Sequence, residues 1–269
     1  MKKDFANIAR EAASAGSEIL LKYWQNLDQE DADTKARNDW VSKADRESEA
    51  AIIDVISGHS PNDSFLGEEG GHHENGSSSL TWIIDPLDGT SNYLRHFPFW
   101  SISIALRDGD EMVGGLVFEP LHDEWFVAEK GAGAWRNGGR VTISDQETLE
   151  GAYIATGFPF RAQEYVDDYM YVFKDVVVTA KGVRRAGSAA LDLAYTSAGI
   201  FDGFFELHLA PWDIAAGALL VLEAGGQVSD FSGGERFWER GNIIGAAPGV
   251  HRDLLEVIGR HTSEDQLGP

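Results

Sequence analysis

The segment from Trp82 to Thr90, with the sequence WIIDPLDGT, constrains this chain more than any other stretch. Its apolar residues predict a buried strand that delivers Asp85 at its carboxyl end. Pro86 stiffens the backbone and removes one N–H donor, so the chain leaves the sheet in a fixed direction. Asp88 follows three residues after Asp85, and a turn can bring both carboxylates to one cation. Because hard divalent cations prefer such oxygen ligands, the segment predicts a cation site at a strand end.

The residues after Asp88 predict a cradle for an anion. Gly89 and Thr90 open a short helical run, and the first N–H groups of a helix attract phosphate. Gly89 lets an anion approach the backbone closely, and the carbonyl of Leu87 can point toward a cation. An isolated Asp-Gly-Thr is more often a plain turn in which the aspartate caps the helix. The preceding strand and the second aspartate favour a metal site beside a phosphate site.

Four further acidic positions lie elsewhere in the sequence. Asp213 stands where a helix begins, and it either caps that helix or supplies a third carboxylate from the second half of the chain. Glu206 ends a strand seven residues earlier and would line the same cleft. Glu68 precedes a second glutamate, so the pair is either solvated or close to a cation. Asp45 opens another helix, where a simple cap is the alternative.

Composition narrows the classes of function. The chain has 22 Lys and Arg against 44 Asp and Glu, a formal charge of −22, which repels nucleic-acid phosphates and anionic membranes. It contains no cysteine, so thiolate nucleophiles and iron–sulfur sites are excluded. Its N-terminus has no apolar signal-peptide region, and no run approaches the roughly 18 apolar residues of a membrane span. We therefore expect a cytoplasmic protein with no direct nucleic-acid binding and no membrane association.

The period of the hydrophobic residues predicts two layered units. Apolar residues at three- and four-residue steps predict two helices before residue 60, and residues 26–40 predict an exposed polar connection. Strand-like runs over 101–129 predict an antiparallel meander. Beyond about residue 150 strands and helices alternate, as in an α/β layer. We expect an N-terminal α+β subdomain over 1–147 and a C-terminal α/β subdomain over 148–269.

These segments resemble the signatures of the inositol monophosphatase family, especially its bacterial branch. The resemblance rests on Gly67-Glu68-Glu69, on WIIDPLDGT and on Pro211-Trp212-Asp213, which occur in the family's order and spacing, and it covers nearly the whole chain. The stretch ATGFPF over 155–160 is similar to the bacterial members. The family implies an αβαβα layered sandwich with the active site in the cleft between two subdomains. It also implies Mg²⁺-dependent, lithium-sensitive hydrolysis of phosphomonoesters and a homodimer.

Carried over by position, the resemblance implies a set of metal ligands. Glu68, Asp85 and the carbonyl of Leu87 would bind a first, activating Mg²⁺. Asp85, Asp88 and Asp213 would bind a second. A third, weaker Mg²⁺ is expected near Glu68, so the site would hold two or three ions.

The resemblance also implies roles toward water, phosphate and substrate. Thr90, paired with Asp45, would help Glu68 to orient the attacking water, and the N–H groups of Gly89 and Thr90 would hold the phosphate. The stretch 158–161 replaces a differing loop of the animal enzymes, which leaves the substrate rim open. The residues expected to contact the inositol ring are Asp88, Gly187, Ala189 and Glu206.

The expected activity is that of a phosphoric monoester hydrolase acting on inositol monophosphate, with myo-inositol 1-phosphate as the leading substrate. In-line attack by a water that a cation activates would release inositol and phosphate without a covalent intermediate. Histidinol phosphate, fructose 1,6-bisphosphate and 3′-phosphoadenosine nucleotides are alternative substrates on similar scaffolds. A regulatory binding protein with secondary phosphatase activity is the alternative from another class.

Overall fold

The computed structural model describes residues 4–24, 33–36, 39–41, 43–73, 76, 78–160 and 162–262. The helices among them are α1 (Phe5–Tyr23), α2 (Lys43–His59), α3 (Thr90–Leu94), α4 (Val166–Thr179), α5 (Ala189–Ser197), α6 (Pro211–Glu223), α7 (Phe237–Arg240) and α8 (Pro248–His261). The strands are β1 (Asp33–Ala36), β2 (Asp39–Val41), β3 (Ser64–Gly67), β4 (Gly71–His73), β5 (Leu80–Asp88), β6 (Ser101–Asp108), β7 (Glu111–Glu119), β8 (Glu124–Glu129), β9 (Gly133–Arg136), β10 (Gly139–Val141), β11 (Tyr153–Thr156), β12 (Gly182–Arg184), β13 (Gly203–Glu206), β14 (Gln227–Ser229) and β15 (Ile243–Ala246).

Two large sheets carry the fold. The first has eight strands in the order β10-β9-β8-β7-β6-β5-β3-β4, and only its β3–β5 pair is parallel. The second has five strands in the order β12-β11-β13-β15-β14. In that sheet β11 runs parallel to both of its neighbours, and the two pairs made by β15 are antiparallel. The predicted antiparallel meander over 101–129 is confirmed.

Helices form three layers around these sheets. Helices α1 and α2 pack on the outer face of the first sheet against Trp82 and Ile84. The intervening Ile83 points to the other face, where α5 and α6 lie between the two sheets. Helices α4 and α8 cover the outer face of the second sheet. The order of layers is αβαβα, which confirms the predicted sandwich and explains why β5 is apolar on both faces.

A β-bulge shapes the end of β5. Asp85 lies opposite Ser103 of β6, whereas Asp88 lies opposite Ser101. A separation of three residues along β5 therefore corresponds to two residues along β6, so β5 contains one extra residue. The prediction that the strand ends where it delivers Asp85 is therefore wrong, because β5 continues to Asp88. Residues three apart in a regular strand point to opposite faces, but one extra residue brings them to the same face. Pro86, which has no N–H to donate, lies within the bulge, as proline in sheets commonly does.

Part of the polar stretch 26–40, which was predicted to be an exposed connection, forms strands. Residues 33–36 and 39–41 form β1 and β2, which pair with each other as antiparallel strands. The rest of the stretch lies outside the described residues.

The division of the chain at residues 147 and 148 stays a prediction. The first sheet ends along the chain at Val141, and the second begins at Tyr153. Both α5 and α6 pack against both sheets. Within the described part of the chain, no helix combines the length and the apolar character needed to cross a membrane.

Replacing Gly115 by alanine is expected to destabilise the fold. The added methyl group would lie 2.8 Å from the carbonyl oxygen of Ala216, on the helix that carries Asp213. Overpacking of this kind costs about 1–3 kcal/mol of unfolding free energy, measured by urea denaturation. Gly58→Ala is the control, since it makes the same substitution at a helical glycine where the added methyl group meets no atom within 4 Å. A Gly115→Ala variant as stable as wild type would contradict close packing of α6 on β7.

Candidate active site

Three carboxylates from distant parts of the chain meet at the end of β5. Asp85, Asp88 and Asp213 each offer an oxygen atom, and these atoms lie within 4.8 Å of one another. All three residues are buried. The bulge in β5 turns the first two to a common side, while Asp213 comes from the first turn of α6. That helix begins at Pro211, and Asp213 Oδ2 accepts the N–H of Ala210 at 2.8 Å. Asp213 thus joins the cluster while it also supports the start of its own helix.

Burial and mutual repulsion raise the pKa values of two of these acids. Burial, followed by the charges of Glu68, Asp88 and Asp213, raises the pKa of Asp85 well above its usual range. Burial and the charge of Asp213 raise the pKa of Asp88 to about 7, against hydrogen bonds from the start of α5 that lower it. A divalent cation between the carboxylates would offset this repulsion. Three buried acidic oxygens at this spacing therefore fit Mg²⁺.

Asp88 is held by the start of α5. Ser188 Oγ donates to Asp88 Oδ2 at 2.5 Å, and the N–H of Ala190 donates to the same oxygen at 2.8 Å. The alternative in which Asp88 caps the helix that follows it is therefore wrong, because its partners belong to a helix about 100 residues later. This geometry ties the end of β5 to the helix between the two sheets.

Thr90 and Asp45 contact each other, as the family resemblance implies. Thr90 Oγ1 lies 3.0 Å from Asp45 Oδ1 and 3.1 Å from the carbonyl oxygen of Leu87. Asp45 is fully buried in the first turn of α2. The Thr90 hydroxyl has one hydrogen, so it can donate to only one of these two acceptors at a time.

One cleft, with a volume of about 400 Å³, is lined by most of the predicted site residues. Asp45 is not among the residues that line it; it lies behind Thr90. Glu68 lines the cleft beside Asp85, because its N–H donates to the carbonyl of Ile84 at 3.2 Å. The predicted residues that line the cleft are Glu68, Asp85, Leu87, Asp88, Gly89, Thr90, Gly187, Ala189, Glu206 and Asp213.

Gly89 has the backbone freedom that the sequence analysis assigned to it. Its φ angle is +100°, in the left-handed region that side chains disfavour. A Cβ atom at this position would also lie 3.1 Å from the carbonyl oxygen of Phe99. Only glycine suits this turn between β5 and α3.

Sequence reasoning missed Asn92 and Ser188. Asn92 Nδ2 donates to the carbonyls of Phe99 at 2.7 Å and Ala186 at 2.9 Å, which joins α3 to the loop before α5. Nothing local in the sequence marks that role. Ser188 caps α5 by accepting the N–H of Leu191, and a serine before an apolar helical run is a recognisable start signal.

Gly157, within the stretch ATGFPF, has a role that the sequence does not reveal. A Cβ atom there would overlap the carboxylate of Glu206. The absence of a side chain therefore makes the space in which Glu206 faces the cleft. Phe158, Pro159 and Phe160 line the neighbouring wall, and Arg161 lies outside the described residues.

The fold and the site define a class of αβαβα proteins with an acidic cluster in a cleft between two sheets. The chain belongs to the inositol monophosphatase family, whose model matches residues 1–266. It is 42% identical over 249 residues to Nus factor SuhB of Escherichia coli, covering 93% of each chain.

Solved structures show the same likeness. Extragenic suppressor protein SuhB from Bartonella henselae is 38% identical with a TM-score of 0.90, and the match covers 96% of this chain and 99% of that one. Inositol monophosphatase from Anabaena is 34% identical with a TM-score of 0.85, and the match covers 97% of both chains.

The metal-free protein is expected to lose stability as pH rises. The pKa of Asp88 is about 7 in the fold, whereas an unfolded aspartate titrates near about 3.9. The folded state binds more protons between these values, so the unfolding free energy falls as pH increases through this window. Mg²⁺ would compete with those protons for the carboxylates. The rise in Tm that Mg²⁺ causes should therefore be larger at about pH 8 than at about pH 5.5.

Thermal melts with EDTA or millimolar Mg²⁺ at both pH values measure this effect. Asp88→Asn removes one of the two carboxyl groups with raised pKa values and should reduce the pH dependence of the melt in EDTA. The same Mg²⁺-induced shift at both pH values would count against the site.

Proposed function

We propose that this chain is an Mg²⁺-dependent phosphomonoesterase that hydrolyses inositol monophosphate, with myo-inositol 1-phosphate as the leading substrate. The observation that supports this most strongly is the meeting of Asp85, Asp88 and Asp213 within 4.8 Å. Their cleft also contains the residues proposed to bind phosphate and polyol. Buried carboxylates at this distance are costly unless a cation neutralises them. Membership of the inositol monophosphatase family adds to this support.

The ligand assignment follows the family resemblance, and the close approach of Asp85, Asp88 and Asp213 supports its second ion. In the proposal, Glu68, Asp85 and the Leu87 carbonyl hold one ion, and Asp85, Asp88 and Asp213 hold a second. A third ion would lie near Glu68, and lithium would inhibit. Mg²⁺ bound here would polarise the phosphate and make a water more acidic.

Thr90 and Glu68 orient the attacking water in this proposal. Thr90 donates its hydrogen to Asp45 or to the Leu87 carbonyl, so its lone pairs remain to accept a hydrogen bond from water. Glu68, on the wall of the same cleft, accepts a hydrogen bond from the other O–H of the water. The two bonds leave a lone pair of the water directed at phosphorus. The N–H groups of Gly89 and Thr90 hold the phosphate oxygens.

The polyol side of the substrate faces Gly187, Ala189 and Glu206 in the proposal. A carboxylate accepts hydrogen bonds from hydroxyl groups, so Glu206 suits a polyol. It also suits the amine of histidinol, and that substrate therefore remains the alternative to test first. Fructose 1,6-bisphosphate and 3′-phosphoadenosine nucleotides are the other alternative substrates.

A second candidate function is a regulatory role as a Nus factor, the name that the curated relatives carry. It would accompany the phosphatase site rather than replace it. A homodimer and a cytoplasmic location belong to the same proposal. The charge of −22 still favours a protein partner over direct binding to nucleic acid. A pull-down from lysate with wild type and Asp85→Asn would show whether partner capture depends on the metal site.

Asp85→Asn and Asp213→Asn are each expected to lower kcat by at least about three orders of magnitude, since cation charge contributes several kcal/mol to such a transition state. Phosphate release from myo-inositol 1-phosphate, with and without Mg²⁺, measures the loss. Melts in EDTA should show both variants folded, because each substitution removes repulsion. Asp110→Asn, in an exposed turn, is the control for loss of one charge. Near-normal turnover by both variants would refute the ligand assignment.

Glu206→Gln is expected to raise KM for myo-inositol 1-phosphate about tenfold, because a hydrogen bond to a charged group contributes roughly 1.5–3 kcal/mol. Gly157→Ala should have the same effect, since its methyl group displaces the Glu206 carboxylate. Hydrolysis of p-nitrophenyl phosphate, which has no polyol, serves as the control and should change little. A larger effect on histidinol phosphate than on inositol phosphate would favour the alternative substrate.

A further inference from the structure

Helix α2 presents three buried polar side chains on one face. Asp45 and Ser48 are 0% exposed and Glu49 is 4% exposed, and spacings of three and four residues place them side by side. Each contacts a different segment of the candidate site. Asp45 accepts from Thr90, as described above, and Ser48 Oγ donates to the carbonyl of Pro86 in the β5 bulge at 3.4 Å.

Glu49 binds the turn that follows Glu68. Its Oε2 atom accepts the N–H of Glu69 at 2.9 Å, and its Oε1 atom accepts the N–H of Gly70 at 2.6 Å. Hydrogen bonds to an ionised carboxylate are stronger than neutral ones. On its other side, the Glu68 backbone donates to the carbonyl of Ile84. The backbone of Glu68 is therefore fixed between β5 and α2.

Two glycines make room for the Glu49 carboxylate. A Cβ atom on Gly67 would overlap it, and a Cβ atom on Gly70 would lie 2.9 Å from Oε1. Neither glycine has a positive φ angle, so the backbone would accept another residue at both positions. Space beside Glu49, rather than backbone conformation, accounts for glycine on both sides of the two glutamates.

We propose that Glu49 is a positioning residue that fixes the backbone of Glu68 and so places the Glu68 carboxylate beside Asp85. The inference rests on the proposed function, in which Glu68 is a metal ligand and orients water. Glu49 is not among the residues that line the cleft, so it acts through Glu68. Substitutions of residues that orient ligands typically lower metal affinity 10- to 100-fold.

Glu49→Gln is the direct test. The glutamine keeps the shape but places an NH₂ group opposite a backbone N–H, so one of the two hydrogen bonds is lost. Mg²⁺ affinity, measured by calorimetry without substrate, should fall about tenfold or more, and the Mg²⁺ concentration for half-maximal turnover should rise equally. KM for substrate at saturating Mg²⁺ should stay within about twofold. Glu47→Gln is the matched control, because its carboxylate pairs with Lys43 and Tyr23 instead.

A double mutant separates positioning from general support of the fold. In a Glu68→Gln background, Glu49→Gln should cause little further loss of Mg²⁺ affinity, because the residue through which it acts has already been changed. An equal loss in both backgrounds would overturn the proposal. If Glu49→Gln does not fold, Gly70→Ala disturbs the same contact from the other side and should lower the Mg²⁺ affinity likewise.

The outcomes distinguish this inference from the proposed function. Wild type that binds Mg²⁺ and hydrolyses substrate, together with a Glu49→Gln variant that matches Glu47→Gln, would reject the positioning role alone. Wild type that binds Mg²⁺ but hydrolyses no phosphomonoester would reject the proposed function, while the calorimetric comparison would still decide the role of Glu49. Wild type without Mg²⁺ binding would reject both.

Discussion

Repulsion between buried carboxylates is the constraint on which the rest of the structure depends. Asp85, Asp88 and Asp213 come together only because α6 docks on the first sheet, and the approach of three acids opposes that docking. Each acid is fixed by a hydrogen bond from protein to one of its oxygens. Such bonds orient the carboxylates without removing their mutual repulsion. The large apolar layer between the two sheets holds the acids in place, and a bound cation would remove the electrostatic penalty.

The bulge in β5 and the polar face of α2 each shape a different part of the site. The bulge converts a spacing of three residues, which would place Asp85 and Asp88 on opposite faces, into a shared direction. Helix α2 then holds three neighbouring segments of the site in place, through Asp45, Ser48 and Glu49. A rigid helix with a fixed residue spacing is well suited to hold several loops at constant separation.

Local signals in the sequence predicted the meander, the later alternation of strands and helices, and a cation site at Asp85 and Asp88, whereas the αβαβα order of layers was implied by the family resemblance. Turn residues and apolar runs marked the meander, and the chemistry of Asp-Pro-x-Asp after an apolar strand marked the cation site. The β1–β2 pair was missed because its residues are polar and lack a clear alternation. Asn92 and Glu49 were missed for a different reason. Their partners lie 94 and 21 residues away, so only the folded chain reveals them.

The contacts of Asp88 link the proposed cation side of the cleft to its proposed polyol side. Ser188 and Ala190 donate to this carboxylate, and the loop before them carries Gly187. Hydrogen bonds to an ionised carboxylate are stronger than bonds to a neutral one. A cation that keeps Asp88 ionised would therefore also strengthen the bonds that hold the start of α5. Because the proposed polyol contacts at Gly187 and Ala189 flank that helix start, cation binding and polyol recognition would share one set of hydrogen bonds, and each would stabilise the other.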